Sequence, residues 1–139
     1  MIVKGFSIPG DTGKFLKAPI YILLWNSKIR KSGFNNIVRT LKNSDAGNPF
    51  DSKDFNMLVQ YHRLFGFILT RIMHHNNPCT VSALSLFDIC RKNNIRCRLI
   101  VGADKENNSI KGHAWVEVNG IPINENMETL EKYTRIIEV

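Results

Sequence analysis

The sequence predicts an α+β fold in which a helical N-terminal half packs against a small antiparallel sheet. Apolar residues recur at helical spacing in the first half, whereas alternating patterns and an Asn-Gly pair dominate after residue 95. Because helices precede strands, the strands are expected to pair with one another and to cover the helices on one side. The 139 residues are expected to form a single domain, with 1–76 mostly helical and 77–139 forming its core.

The N-terminal half is expected to be helical after a short extended arm. Residues 1–17 mix glycine, proline and short apolar pieces, which favours a strand or an extended conformation. Apolar residues then recur every three or four positions between breaking residues, which predicts four helices at 19–31, 36–42, 51–75 and 79–92. His62 lies on the apolar stripe of the third helix, which includes Ile72 and ends at Met73. It is therefore expected to be a core or boundary residue rather than a ligand.

The C-terminal part carries the strand patterns. Alternation of apolar and polar residues predicts strands at Arg96–Val101, His113–Val118, Ile121–Asn124 and Arg135–Val139. Asn119-Gly120 is a strong turn signal that makes a hairpin of the second and third strands. The polar residues 102–112 are expected to form a loop, and a short helix is expected from Met127.

Charge and cysteine content limit the possible functions. The net charge of +7 permits an acidic peptide, a nucleic acid or an anionic membrane as partner, or only a solvated basic surface. A nucleic-acid-binding tail is not expected, because no block of eight residues is purely Lys and Arg. Cys79, Cys90 and Cys97 lack the spacing of a zinc site or a disulfide framework, and reduced thiols indicate the cytoplasm. The longest apolar run, Ala18–Trp25, is far shorter than the about 20 residues that span a membrane.

Cys79 has the sequence context of an activated thiol. Pro78 precedes it and an apolar helical run follows, so the thiol is expected at a helix N-terminus, where the helix dipole favours an anion. A cysteine in this position has a lowered pKa. His113, on a later strand, could keep the thiol ionised and then protonate a leaving group. The alternative is that Cys79 is a small buried residue and His113 a strand residue with a satisfied hydrogen bond.

A third group must orient the histidine in such a site. Strict alternation after the Asn-Gly turn directs Asn124 or Asn126 toward His113 and sends Glu125 to the other face of the sheet. A β-bulge near the end of the strand would reverse this assignment.

Two sequence blocks resemble a known family. P-C-T at Pro78–Thr80, before an apolar helix, and G-H-A-W-V-E-V-N-G at Gly112–Gly120 are similar to the transglutaminase-like leader peptidases of lasso-peptide biosynthesis. The strand Arg98–Gly102 and the block I-N-E at Ile123–Glu125 add to the resemblance. It covers residues 77–139 well and the apolar helices before them more loosely.

The resemblance implies a transglutaminase-like or papain-like core that acts as a Cys–His–Asp peptidase and removes the leader from a ribosomally synthesised lasso-peptide precursor. Cys79 is then the nucleophile and His113 the general acid and base, and no cofactor or metal is implied. The family's Asp position falls on Glu125, whose side chain is one methylene longer, unless Asn124 takes the role. Ser82 stands where the family often has Arg, and this departure bears on substrate contacts.

The resemblance also implies partners. A separate leader-recognition protein presents the leader of the precursor, and a separate ATP-dependent macrolactam cyclase closes the ring; no nucleic-acid partner is implied. We expect the recognition protein to dock on the apolar N-terminal helices or on the sheet edge, at an exposed patch that includes Ile22, Trp25 or Phe34. Two alternatives stay open. One is another transglutaminase-fold acyl transferase that uses the same Cys and His, and the other is a non-catalytic module that binds an acidic peptide.

Overall fold

The computed structural model describes residues 2–3, 6–7, 12–41, 52–106 and 109–139. Helices packed on a small antiparallel sheet confirm the predicted α+β class. The helices are α1 (Thr12–Ser32), α2 (Phe34–Thr40), α3 (Ser52–Phe67), α4 (Pro78–Lys92) and α5 (Met127–Glu131). The strands are β1 (Ile2–Val3), β2 (Phe6–Ser7), β3 (Arg98–Glu106), β4 (Ser109–Val118), β5 (Ile121–Pro122) and β6 (Thr134–Glu138).

The main sheet has the strand order β5-β4-β3-β6, and all neighbouring strands are antiparallel. Residues that face each other across β3 and β4 share a face of the sheet. Leu99 and Val116 belong to the main core, in which α4 lies between the sheet and the helices α1 and α3. Ile100 and Trp115 lie on the opposite face, where they form a smaller apolar cluster with Leu130 of α5.

Residues 102–106 and 109–112, which were predicted to lie in a polar loop, are instead an extension of the β3–β4 hairpin, so that prediction was wrong for them. The two strands stay paired as far as Glu106 and Ser109. Asp104 faces Lys111 across the ribbon, and opposite charges in this arrangement stabilise a strand pair. Backbone pairing therefore continues where the sequence has too few apolar residues to signal a strand.

The first helix begins earlier than predicted. It starts at Thr12 and contains Pro19 in its interior, although Pro19 was expected to be its first residue. An interior proline removes one helical hydrogen bond and costs about 3 kcal/mol. Ala18, Ile22 and Trp25 are buried on either side of it, and the burial of this apolar face offsets the cost. The loop predicted at 44–50 lies outside the described residues.

The predicted third helix is divided. α3 ends at Phe67, and a π-helical turn follows at Ile68–Ile72. Because a π-turn holds an additional residue, the positions toward its end rotate away from the apolar stripe. Ile72, which was expected to be buried, is consequently 63% exposed, whereas Leu69 remains buried.

The exposed apolar residues of α1 differ from the expected docking patch. Ile22 and Trp25 are buried, so the expectation that they are exposed was wrong, whereas Phe34 is partly exposed. α1 exposes instead the side chains of Ile20, Leu23 and Leu24. None of the helices in the described part of the chain is long and apolar enough to cross a membrane.

Candidate functional site

The segment before α4 places the thiol of Cys79 at a helix N-terminus, as the sequence predicted. Pro78 is the first residue of α4 and Cys79 the second. His75 braces the segment before them, because its Nδ1 accepts a hydrogen bond from the Asn77 backbone N–H (2.9 Å). The Nε2–H of the same ring donates to Oδ1 of Asn26 in α1 (3.0 Å). His75 therefore has a structural role, because its ring joins the Asn77 backbone to the Asn26 side chain.

The thiol of Cys79 faces polar groups of the same segment and of β4. Its S–H donates to Oδ1 of Asn77 (3.2 Å). Burial raises the pKa of the Cys79 thiol, but hydrogen bonds from His113 and from the Ala114 backbone N–H outweigh this effect, and the pKa lies below its usual value. A thiolate is the reactive form of cysteine, so this environment favours a nucleophile.

His113 joins the thiol to a carboxylate. Its Nε2 lies 3.0 Å from Oε1 of Glu125, and both groups are largely shielded from solvent. The hydrogen bond with Cys79 and the hydrogen bond with Glu125 raise the pKa of His113 to about 9. The structure thus brings together the three residues singled out from the sequence: Cys79 and His113 line one cavity, and Glu125 contacts the His113 ring.

A single backbone torsion determines which residue reaches His113. β5 ends at Pro122, two residues earlier than predicted, and Asn124 adopts a left-handed conformation with φ of 54°. Alternation of side chains no longer applies beyond such a residue. Glu125 consequently turns toward His113, and the expectation that strict alternation directs Asn124 to this ring was wrong. The Asn124 amide faces His62 instead, with 3.1 Å between its Nδ2 and Nδ1 of that ring.

Two aromatic rings stack against the imidazole of His113. The ring of Trp115 stacks on it at 5.7 Å between centroids, and the ring of Tyr133 does so at 5.5 Å. Gly102 faces His113 across the hairpin. A Cβ atom there would lie 2.8 Å from Cβ of Tyr133 and 3.1 Å from the Trp115 ring. Only glycine therefore lets both rings approach His113.

The orientation of Trp115 is itself fixed by an ion pair between the buried Glu117 and the exposed Arg135. Its Nε1–H donates to Oε2 of Glu117 (3.0 Å). Arg135 of β6 donates to both oxygens of the same carboxylate, at 3.2 and 2.7 Å. Bidentate pairs of this kind combine geometric specificity with strength. The Glu117–Arg135 pair thereby ties β6 to the ring on which His113 stacks.

A cavity of about 300 Å³ opens beside the thiol. Its lining includes Phe34 of α2, Gly112 of β4 and the three residues Asn77, Cys79 and His113. Ser82 of α4 does not line this cavity, because its side chain is buried in the protein interior. A residue at that position is therefore not available to a substrate in this cavity.

Sequence reasoning missed His62 as a residue of this site. His62 lies on α3, far from the motifs in sequence, yet its ring contacts Asn124. The sequence places His62 on the apolar stripe of a helix. Such a stripe predicts burial but does not identify the residues that pack against it. Among the residues that the structure describes, no group of three or more His, Cys, Asp or Glu side chains is arranged to hold a metal ion.

Comparison with known proteins gives the family. No curated protein and no solved structure gives a significant match to the chain. The family model of the transglutaminase-like superfamily matches residues 26–138. This match spans α2 to α5 and the whole of the four-stranded sheet, together with Cys79, His113 and Glu125. The chain therefore belongs to the transglutaminase-like superfamily.

Proposed function

We propose that the protein is a cysteine peptidase that removes the leader peptide from a ribosomally synthesised lasso-peptide precursor in the cytoplasm. One observation carries the proposal: the Cys79 thiol, at the N-terminus of a helix, lines the same cavity as His113, whose Nε2 lies 3.0 Å from the Glu125 carboxylate. Membership of the superfamily supports thiol chemistry on acyl groups, as in a peptidase or an acyl transferase. The similarity of the Pro78–Thr80 and Gly112–Gly120 blocks to leader peptidases supports the substrate.

In the proposed reaction, the Cys79 thiolate attacks the carbonyl carbon of the scissile peptide bond. The backbone N–H of Cys79 at the start of α4 stabilises the oxyanion that forms. The C–N bond then breaks while His113 gives its proton to the leaving amine, and the leader stays on Cys79 as a thioester. Water next attacks the thioester while His113 accepts a proton from it, which releases the leader as a carboxylate and restores the thiolate. Glu125 orients the imidazole and stabilises its cationic form.

The proposal is tested by incubating a leader-bearing lasso precursor with the protein and a leader-recognition protein in heavy-oxygen water. Mass spectrometry is expected to detect free leader with one heavy oxygen atom in its new carboxylate. A leader joined to an amine would identify an acyl transferase instead, because an amine and water attack the same thioester. Binding of the precursor without either product would identify a non-catalytic module.

In this proposal, the recognition protein docks on the exposed apolar stripe of α1. Ile20, Leu23 and Leu24 follow helical spacing and are 65%, 60% and 41% exposed. Neighbouring large apolar side chains exposed on one helix face mark an interaction surface. The macrolactam cyclase remains the candidate third partner, since it consumes the released peptide.

Replacement of Leu23 by lysine is expected to reduce about 10-fold the stimulation of leader release by the recognition protein. The reason is that a charged side chain then faces the apolar contact. The rate of leader release is measured against the concentration of recognition protein. Ser32→Lys, at an exposed position of α1 outside the stripe, is the control. Equal behaviour of the two variants, with or without the recognition protein, would remove the stripe from the interface.

A further inference from the structure

We propose that His62 is a positioning residue, whose neutral imidazole accepts a hydrogen bond from the Asn124 amide and thereby holds the turn that delivers Glu125 to His113. This inference rests on the proposed role of the Cys79–His113–Glu125 group. The contact joins Nδ1 of His62 to Nδ2 of Asn124 at 3.1 Å. It links α3 to the turn after β5, two elements that are far apart in sequence.

The chemistry of the two groups fixes the direction of this hydrogen bond. An amide nitrogen donates and does not accept, so Nδ1 of His62 must carry the lone pair and its proton must lie on Nε2. The bond therefore exists only while His62 is uncharged. Protonation of the ring would replace an acceptor by a second donor, and the Asn124 amide would lose its partner.

The backbone of Asn124 explains why this bond matters for Glu125. Its φ of 54° lies in the left-handed region, which asparagine enters more readily than other side chains but still at a cost. Anchoring the amide to His62 stabilises this conformation from the side-chain end. Glu125 is the next residue, and its carboxylate lies 3.0 Å from His113. A change in the Asn124 torsion would therefore move the carboxylate directly.

The surroundings of His62 keep its ring neutral. Burial lowers the pKa of His62, while the Glu125 carboxylate raises it and the charge of His113 lowers it again. The net effect is a pKa below the usual value, so the ring accepts at neutral pH. These two charged groups come from the turn after β5 and from β4, the elements that His62 faces across the site.

Loss of this bond is expected to displace Glu125. The imidazolium of His113 is then stabilised less by the carboxylate. A misplacement of about 1 Å in a catalytic group costs up to about 100-fold in rate. Because the hydrogen bond from His113 lowers the pKa of Cys79, the thiol of Cys79 should then ionise at higher pH. This second effect distinguishes positioning from a role in stability alone.

The test is the pH dependence of alkylation of Cys79 by iodoacetamide, followed by mass spectrometry. His62→Phe removes the acceptor but keeps a ring, and Asn124→Ala removes the amide and leaves the left-handed backbone without its anchor. Both variants are expected to move the alkylation midpoint to higher pH. His62→Asn, whose Oδ1 can accept the hydrogen bond in place of Nδ1, is expected to keep the wild-type alkylation midpoint. Arg63→Gln, at an exposed neighbouring position of α3, is the control.

Either of two results would overturn the inference: a wild-type midpoint in His62→Phe, or a wild-type midpoint in Asn124→Ala. The second variant decides the question if the first does not fold. Failure of the proposed function is distinguishable, because alkylation requires no peptide substrate. If wild-type Cys79 ionises at low pH and the His62 effect is present but no precursor is cleaved, the positioning role holds and the assigned reaction does not.

Discussion

Replacement of His113 by alanine is expected to lower the rate of leader release by about 10⁴-fold. The wild-type rate should rise with pH as Cys79 ionises and fall above about pH 9, where His113 loses its proton. Without the imidazole, the hydrogen bond and the positive charge that lower the pKa of Cys79 are both lost. Alkylation of Cys79 should therefore shift to higher pH in the variant.

The rate of leader release and the rate of alkylation are measured across pH for the wild type and His113→Ala. His74→Asn is the control, because His74 is exposed and has a φ of 48°, which asparagine tolerates. A His113→Ala variant that retained the wild-type rate and alkylation midpoint would show that His113 neither transfers a proton nor ionises the thiol.

Replacement of Glu125 by glutamine should lower the rate by about 10²- to 10⁴-fold, since it removes the charge that stabilises the imidazolium while keeping the size of the side chain. The hydrogen bond with Glu125 contributes to the raised pKa of His113. The decline in activity at high pH should consequently begin at a lower pH in Glu125→Gln. The rate of leader release against pH is the measurement.

Three further variants define the role of Glu125. Asn124→Ala is expected to have a smaller effect than Glu125→Gln, because Asn124 acts on the site only through its neighbour. Glu125→Asp tests whether the longer side chain is needed to span the 3.0 Å contact with His113. Glu128→Gln, at an exposed position in α5, controls for loss of a nearby negative charge. A larger effect of Asn124→Ala than of Glu125→Gln would assign the orienting role to Asn124.

The parts of the site that depend on local patterns could be predicted from the sequence. Pro78 and the apolar run after it place Cys79 at a helix start, and alternation around His113 places that residue on a strand. The Asn119-Gly120 turn has φ of 54° and 76°, and it pairs Val118 with Ile121 as predicted. Each of these features is determined by residues within one element or one turn.

The remaining features depend on tertiary contacts or on single torsions. Glu125 reaches His113 because Asn124 adopts a positive φ, and alternation alone points the wrong way. Gly102 was assigned to a loop, although its role is to admit the Tyr133 and Trp115 rings beside His113. His62 meets Asn124 only because α3 packs near the turn after β5. Spacing along the chain carries no information about these encounters.

Leader release by a Cys79→Ala variant tests the central claim most directly. The same precursor, recognition protein and mass-spectrometric assay are used for the wild type, Cys79→Ala and Cys90→Ala, the last a matched loss of a buried thiol from the same helix. The account predicts release by the wild type and by Cys90→Ala, and none by Cys79→Ala beyond the uncatalysed rate. Release that persists in Cys79→Ala would contradict the assignment of Cys79 as the nucleophile.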